Sequence, residues 1–184
     1  GPIERIVDNL DPGTSSVGTW LPSSTLGFWA INSVYSNTAG STFTFNATLA
    51  PGTTYAVYGW WTAASNRSIA VPYQIRDGAT LLGTATVNQR LNGSQWNLLG
   101  VYAFTDVASV TVVQAGGVTI ADAVRFVPVV LETLEITGPL TVNEGAMAAY
   151  DAIAHCAGGI SMPVEPQVWA VDVVEAMIDA TGVL

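Results

Sequence analysis

Tyr55-Ala56-Val57-Tyr58-Gly59-Trp60-Trp61 alternates large apolar side chains at a period of two, the signature of a β-strand. Tyr55, Val57 and Trp61 fall on one face, Tyr58 and Trp60 on the other. A strand at the surface of a core needs only one apolar face. The second aromatic row is therefore either covered by another layer or presented as a flat platform. Pro51-Gly52 before the run and Ala63-Ala64-Ser65-Asn66 after it are turn and breaker signals that bound the strand.

Working outward, the same short periodicity recurs. Ile3–Asn9 reads as an opening strand, and Asn9-Leu10-Asp11-Pro12-Gly13 as a turn. Thr14–Ser33 is Ser/Thr-rich, carries Trp20, Phe28 and Trp29, and reads as a long loop with a short strand. Ser41–Leu49 alternates Phe43, Phe45 and Ala47 against Thr42, Thr44 and Asn46. Val71–Ile75 is a strand whose Pro72 places it at an edge or a strand start. Asp77-Gly78 signals a hairpin into Leu81–Gln89, and Asn92-Gly93 a second one into Gln95–Phe104. Strict parity in that last strand puts Trp96, Leu98, Gly100, Tyr102 and Phe104 on one face, so Trp96 joins Trp61 in the core. Ser109–Gln114 and Val118–Phe126 complete eight or nine short strands without a helix. That pattern specifies an all-β jelly-roll sandwich with its first and last strands adjacent.

The charge is unevenly spread. Five Arg, no Lys and 14 acids leave a net charge of −9. Up to Phe126 bases and acids nearly cancel, whereas Val127–Leu184 holds eight acids and no base. The step marks a domain boundary near Phe126–Leu131. Nucleic acid is excluded as a partner, because phosphate contacts require clustered Lys or Arg. No apolar run approaches the roughly 18–20 residues that cross a bilayer as a helix, so membrane insertion is not expected. Gly1-Pro2 reads as the remnant left by a tag-removing protease.

Six separated motifs carry a resemblance. Ile6-Val7-Asp8-Asn9, Tyr55-Ala56-Val57-Tyr58, Asn66-Arg67, Val87-Asn88-Gln89, Gly93-Ser94-Gln95-Trp96-Asn97-Leu98-Leu99-Gly100 and Ile120-Ala121-Asp122-Ala123-Val124-Arg125-Phe126 fall in the order of the golvesin C-terminal-like domain. A similar domain occurs as a carbohydrate-binding-like module of xanthan lyases and other secreted bacterial enzymes. The resemblance covers residues 3–128 and implies a jelly-roll accessory module of an extracellular or cell-surface protein. Residues 129–184 resemble part of a bacterial Ig-like domain, through Leu134–Pro139, Thr141–Gly145, Ala149–Ala152, Val168-Trp169 with Trp169 as core, and Ala176–Asp179. This second sandwich is incomplete, which implies either loose packing or completion by a following domain or a neighbouring chain.

Candidate ligand groups are flat rings for sugar C–H faces and polar side chains for hydroxyls. The sequence offers Trp20, Trp29, Tyr35, Tyr58, Trp60 and Tyr73, with Asn66, Arg67, Asn88 and Gln89. Asp122 shares the parity of Val124 and Phe126 and is therefore expected to be buried. A buried carboxylate must be hydrogen-bonded, paired or metal-bound. Backbone amides or Arg67 are one solution, and a Ca²⁺ site with Asp8 and Asp11 is the other. Catalysis finds little material. His155 and Cys156 are the sole His and Cys, and as strand neighbours they point to opposite faces. The first-domain acids sit at turns and strand ends, unlike a glycosidase pair facing a cleft. The expected function is a non-catalytic extracellular module that binds polysaccharide or a cell-surface glycan. The alternative is a structural spacer without a ligand.

Overall fold

The computed structural model describes residues 1–143, 146–157 and 159–165. The chain divides into two compact units, Gly1–Pro128 and Val129–Leu184.

In the first unit the strands in chain order are β1 (Arg5–Asp8), β2 (Thr14–Val17), β3 (Leu21–Pro22), β4 (Val34–Ser36), β5 (Thr42–Ala47) and β6 (Thr53–Trp60). They continue as β7 (Val71–Asp77), β8 (Thr80–Val87), β9 (Asn97–Phe104), β10 (Ala108–Val113), β11 (Thr119–Ala121) and β12 (Ala123–Pro128). A four-stranded sheet runs β1-β12-β6-β9, a five-stranded sheet β2-β5-β10-β7-β8, and a small third sheet β11-β4-β3. All the ladders are antiparallel. The fold is a β-sandwich, closed by the pairing of β1 with β12.

Alternation determines which face each strand buries. In β5, Phe43, Phe45 and Ala47 turn inward, while Thr44 turns outward and bonds Thr111 of β10 across the ladder. The core between the two large sheets joins Phe45, Tyr55, Val57, Tyr73, Ile75, Phe104, Val110, Val124 and Phe126. At roughly 25 cal/mol per Å² of apolar area, this burial is the main force holding the sheets together.

Three details depart from simple periodicity. Asn92-Gly93 makes no hairpin, because β8 and β9 lie in different sheets and residues 88–96 cross between them. Trp61 holds that crossing, its Nε1 donating to the Leu91 carbonyl at 2.9 Å and its own carbonyl accepting from Ser94. Second, β9 is bulged. Gly100 faces Val57 and Leu98 faces Tyr58, so Leu99 has no opposite number. The extra residue reverses the parity before it. Leu99 points in, while Leu98 is 53% exposed and Trp96 comes to the outer side rather than the core. Third, the strand expected over Val118–Phe126 is two strands in two sheets, broken at Asp122.

In the second unit β13 (Leu131–Thr137), β14 (Asp151–Cys156) and β15 (Ile160–Val164) form an antiparallel sheet. Ala152, Ala154 and Cys156 are buried. His155 lies on the opposite face, between Glu135 and Ser161 at 2.7 and 2.8 Å. Trp169 and the strand expected at 176–179, on which the Ig-like resemblance relied, lie outside the described residues.

Candidate functional site

The outer face of the four-stranded sheet carries an aromatic cluster. Trp60 projects from β6 beside Ala123 of β12, and Trp96 precedes β9 on the same side. Trp29 arrives on the loop between β3 and β4. The three rings meet at centroid distances of 5.3, 5.0 and 5.3 Å, tilted or edge-to-face, the geometry that aromatic quadrupoles favour. Tyr58, on the same face of β6, and Trp96 flank the Arg125 guanidinium at 6.0 and 5.8 Å. Arg125 also pairs with Glu4 at 2.9 Å. All three tryptophans stay half-buried, and the neighbouring Leu98 is exposed.

The loop bearing Trp29 is tied down at two points. Trp60 Nε1 donates to the Gly27 carbonyl at 2.9 Å, and the Trp29 amide donates to Asp122 Oδ1 at 3.1 Å. Asp122 sits in the break between β11 and β12, where its own carbonyl accepts from the Asn9 amide. Burial raises its carboxyl to about 8, the Trp29 amide opposing this and the neighbouring Asp8 adding to it. The Asp8 carboxyl is raised as well, chiefly by burial. Asp8 and Asp122 each keep one buried Oδ2 without a partner. Asp11 turns its Oδ2 to the Asp8 amide at 2.9 Å. No group of three acidic, His or Cys side chains placed to hold a metal occurs among the described residues, so Asp8, Asp11 and Asp122 do not assemble as a three-carboxylate Ca²⁺ cage.

The other candidate residues are dispersed. Tyr73 and Gln89 are fully buried and bonded to each other at 2.8 Å. Gln89 also takes both the amide and the carbonyl of Ile120, joining the five-stranded side to β11. Burial pushes the Tyr73 phenol up. Trp20 edges onto Phe43 and donates to the Thr42 carbonyl. The Asn88 side chain caps its own turn by accepting from the Arg90 amide. Asn66 and Arg67 line a different hollow with Tyr35, apart from the residues that build the aromatic cluster. The structure thus gathers Trp29, Tyr58 and Trp60, and adds Trp96, which parity reasoning placed in the core, and Arg125, which was not among the candidates. The Leu98-Leu99-Gly100 sequence, a glycine beside two large apolar residues inside a strand, was the available signal for the bulge.

None of the curated proteins compared with the chain matches it. A Paenibacillus xanthan lyase structure aligns at 32% identity with TM-score 0.63, covering 68% of this chain and 13% of that one. A Podospora anserina GH26-CBM35 β-(1,4)-mannanase aligns at 13% identity with TM-score 0.50, covering 68% of this chain and 27% of that one. The chain therefore spans a small part of either protein, and the second likeness concerns the fold alone. The Golvesin C-terminal domain matches residues 5–128, the whole sandwich from β1 through β12. The chain belongs to the golvesin C-terminal domain family.

Proposed function

We propose that the chain is a non-catalytic carbohydrate-binding module of a secreted or cell-surface protein, with polysaccharide as its ligand. The observation that supports this is the Trp29–Trp60–Trp96 cluster on the outer face of the four-stranded sheet, with Tyr58 and Arg125 at its border. Sugar rings present C–H faces that bury against indole, while their hydroxyls need polar partners at the rim. Arg125, whose side chain is partly exposed, supplies such donors. The likeness to a xanthan lyase agrees with a polysaccharide context. The loop carrying Trp29 is held at Gly27 by Trp60 and at Trp29 by Asp122. One ring of the platform is thus fixed before a ligand arrives, which limits the ordering cost of binding.

The test is affinity electrophoresis of the chain and of Trp60→Ala through gels containing xanthan, mannan, xylan or glucan. The wild-type chain is retarded by at least one polymer, and Trp60→Ala migrates as in a blank gel while retaining its cooperative melt. Trp61→Ala provides the contrast. Its ring is 3% exposed and its loss costs roughly 3–5 kcal/mol of stability. Equal retardation of wild type and Trp60→Ala by every retarding polymer would overturn the placement of the site.

A further inference from the structure

Arg67 is 4% exposed and has no carboxylate partner among the described residues. Its Nε donates to the Thr62 carbonyl at 3.2 Å, one terminal nitrogen to Asn66 Oδ1 at 3.0 Å, and the other to Thr25 Oγ1 at 2.8 Å and Thr62 Oγ1 at 3.5 Å. A guanidinium has five N–H groups, so one, on the nitrogen facing Asn66, is left over. The backbone around it is fixed by bonds from the Arg67 amide to Ala64 and from Arg90 Nε to the Arg67 carbonyl.

This guanidinium borders an open hollow of about 340 Å³. That is at the small end of the roughly 300–1,000 Å³ typical of ligand pockets and suits a single sugar unit. The lining is Ser23, Ser24, Thr25, Tyr35, Asn66, Arg67 and Val118, without one acid in a chain that has 14. Its charge is one-sided, with Arg67 the sole charged residue in the lining. Thr25 Oγ1 and Asn66 Oδ1 already accept from Arg67, and Ser23 Oγ accepts from the Thr25 amide. These groups still offer a visitor two hydroxyls and an amide NH₂, beside the hydroxyls of Ser24 and Tyr35 and the spare guanidinium N–H. Hydroxyls accept as well as donate, so it is the buried guanidinium without a countercharge, and not the hydroxyl wall, that favours an anion over a neutral sugar. A carboxylate only accepts. It would also supply the countercharge that a buried cation otherwise lacks.

We propose that the Arg67 hollow is a subsite for the carboxylate of an acidic sugar, so that the polysaccharide is one carrying uronic acid or another carboxylated unit. The sugar part of this rests on the carbohydrate-binding reading above; the anion part rests on the hollow alone. Burial lowers the pKa of Arg67 from its ordinary value, and an anion at the spare N–H acts in the opposite direction.

The experiment is NMR of the ¹⁵N-labelled chain, following the Arg67 Nε–H and the tryptophan indole N–H signals at constant ionic strength. Methyl glucuronide, methyl glucoside and acetate are titrated separately. The expected result is a saturable shift of Arg67 with methyl glucuronide, a response at least tenfold weaker to acetate, and none to methyl glucoside. Asn66→Ala, at an exposed position, weakens the glucuronide about fivefold, the worth of one hydrogen bond. An unmoved Arg67 signal with glucuronide overturns the subsite. If the indoles shift with the neutral glucoside in that case, the carbohydrate-binding reading survives without it. Equal response to acetate and glucuronide overturns the sugar and leaves an adventitious ion only.

Discussion

Asp122 joins stability, acidity and the aromatic face in one side chain. Its carboxyl, raised to about 8 from 3.8, holds its proton more tightly in the folded chain than in the unfolded one. Below about pH 4 both states are protonated and the group has no effect on stability. Between about 4 and about 8 the unfolded chain ionises first, and stability falls by up to about 1.4 kcal/mol per pH unit. Above about 8 both states are ionised and the loss is complete. Asp8, also raised, adds to the same slope. Urea melts in EDTA at pH 5 and pH 8 should show this fall, and Asp122→Asn, which keeps an oxygen for the Trp29 amide, should flatten it. A slope unchanged in the variant would assign the effect elsewhere. Repeating the pH 8 melt in millimolar Ca²⁺ separates two uses of the orphan oxygens. A rise in midpoint assigns them to the cation, and an unchanged midpoint leaves them as proton sites. Burial of Asp122 was legible from its parity with Val124 and Phe126. Its partner was not, because Trp29 lies on a loop 93 residues away whose path no periodicity encodes.

At the level of elements, β9 shows how one extra residue redistributes chemistry. The Leu99 bulge sends Trp96 outward to Trp60 and keeps Tyr102 and Phe104 inward. The Tyr102 ring then lies over Gly100 on its own strand and Gly83 on β8. A Cβ built on either glycine would meet it at 2.6 or 2.7 Å, and Gly100 has φ of 155°. Gly100→Ala is expected to cost about 1–3 kcal/mol by overpacking. Tyr102→Ala on the same chain should recover part of that loss, giving a non-additive cycle in chemical denaturation. Strictly additive losses would show that the ring does not set the requirement for glycine. β5 and β7 were readable because each buries one face and alternates closely, whereas β6 and β10 bury three successive residues at Tyr55–Val57 and Ala108–Val110. What escaped was sheet membership. Asn92-Gly93 has the composition of a hairpin turn, yet the buried Gln89 and the Trp61 bonds draw the following residues across to the other sheet.

For the whole molecule, every ladder of the three sheets in Gly1–Pro128 is made within that unit. Residues 1–128 produced alone should therefore melt in one cooperative transition and be retarded by the same polysaccharide as the full chain. A fragment lacking a cooperative melt would show that the sandwich depends on residues beyond Pro128. The charge step near Phe126 lies close to the end of this unit, whereas the aromatic face required the fold before Trp29, Trp60 and Trp96 could be seen as neighbours. The β1–β12 pairing has a mechanical consequence. Arg5 lies opposite Phe126 and Asp8 opposite Ala123, so the two strands enter and leave the sandwich at one end of the same ladder. Tension applied through those strands peels their hydrogen bonds apart singly, in sequence from the Arg5 end, instead of shearing the whole ladder at once. Held between two anchors, such a module yields at low force and releases its length as slack, so that a load on the tether is absorbed in opening the sandwich.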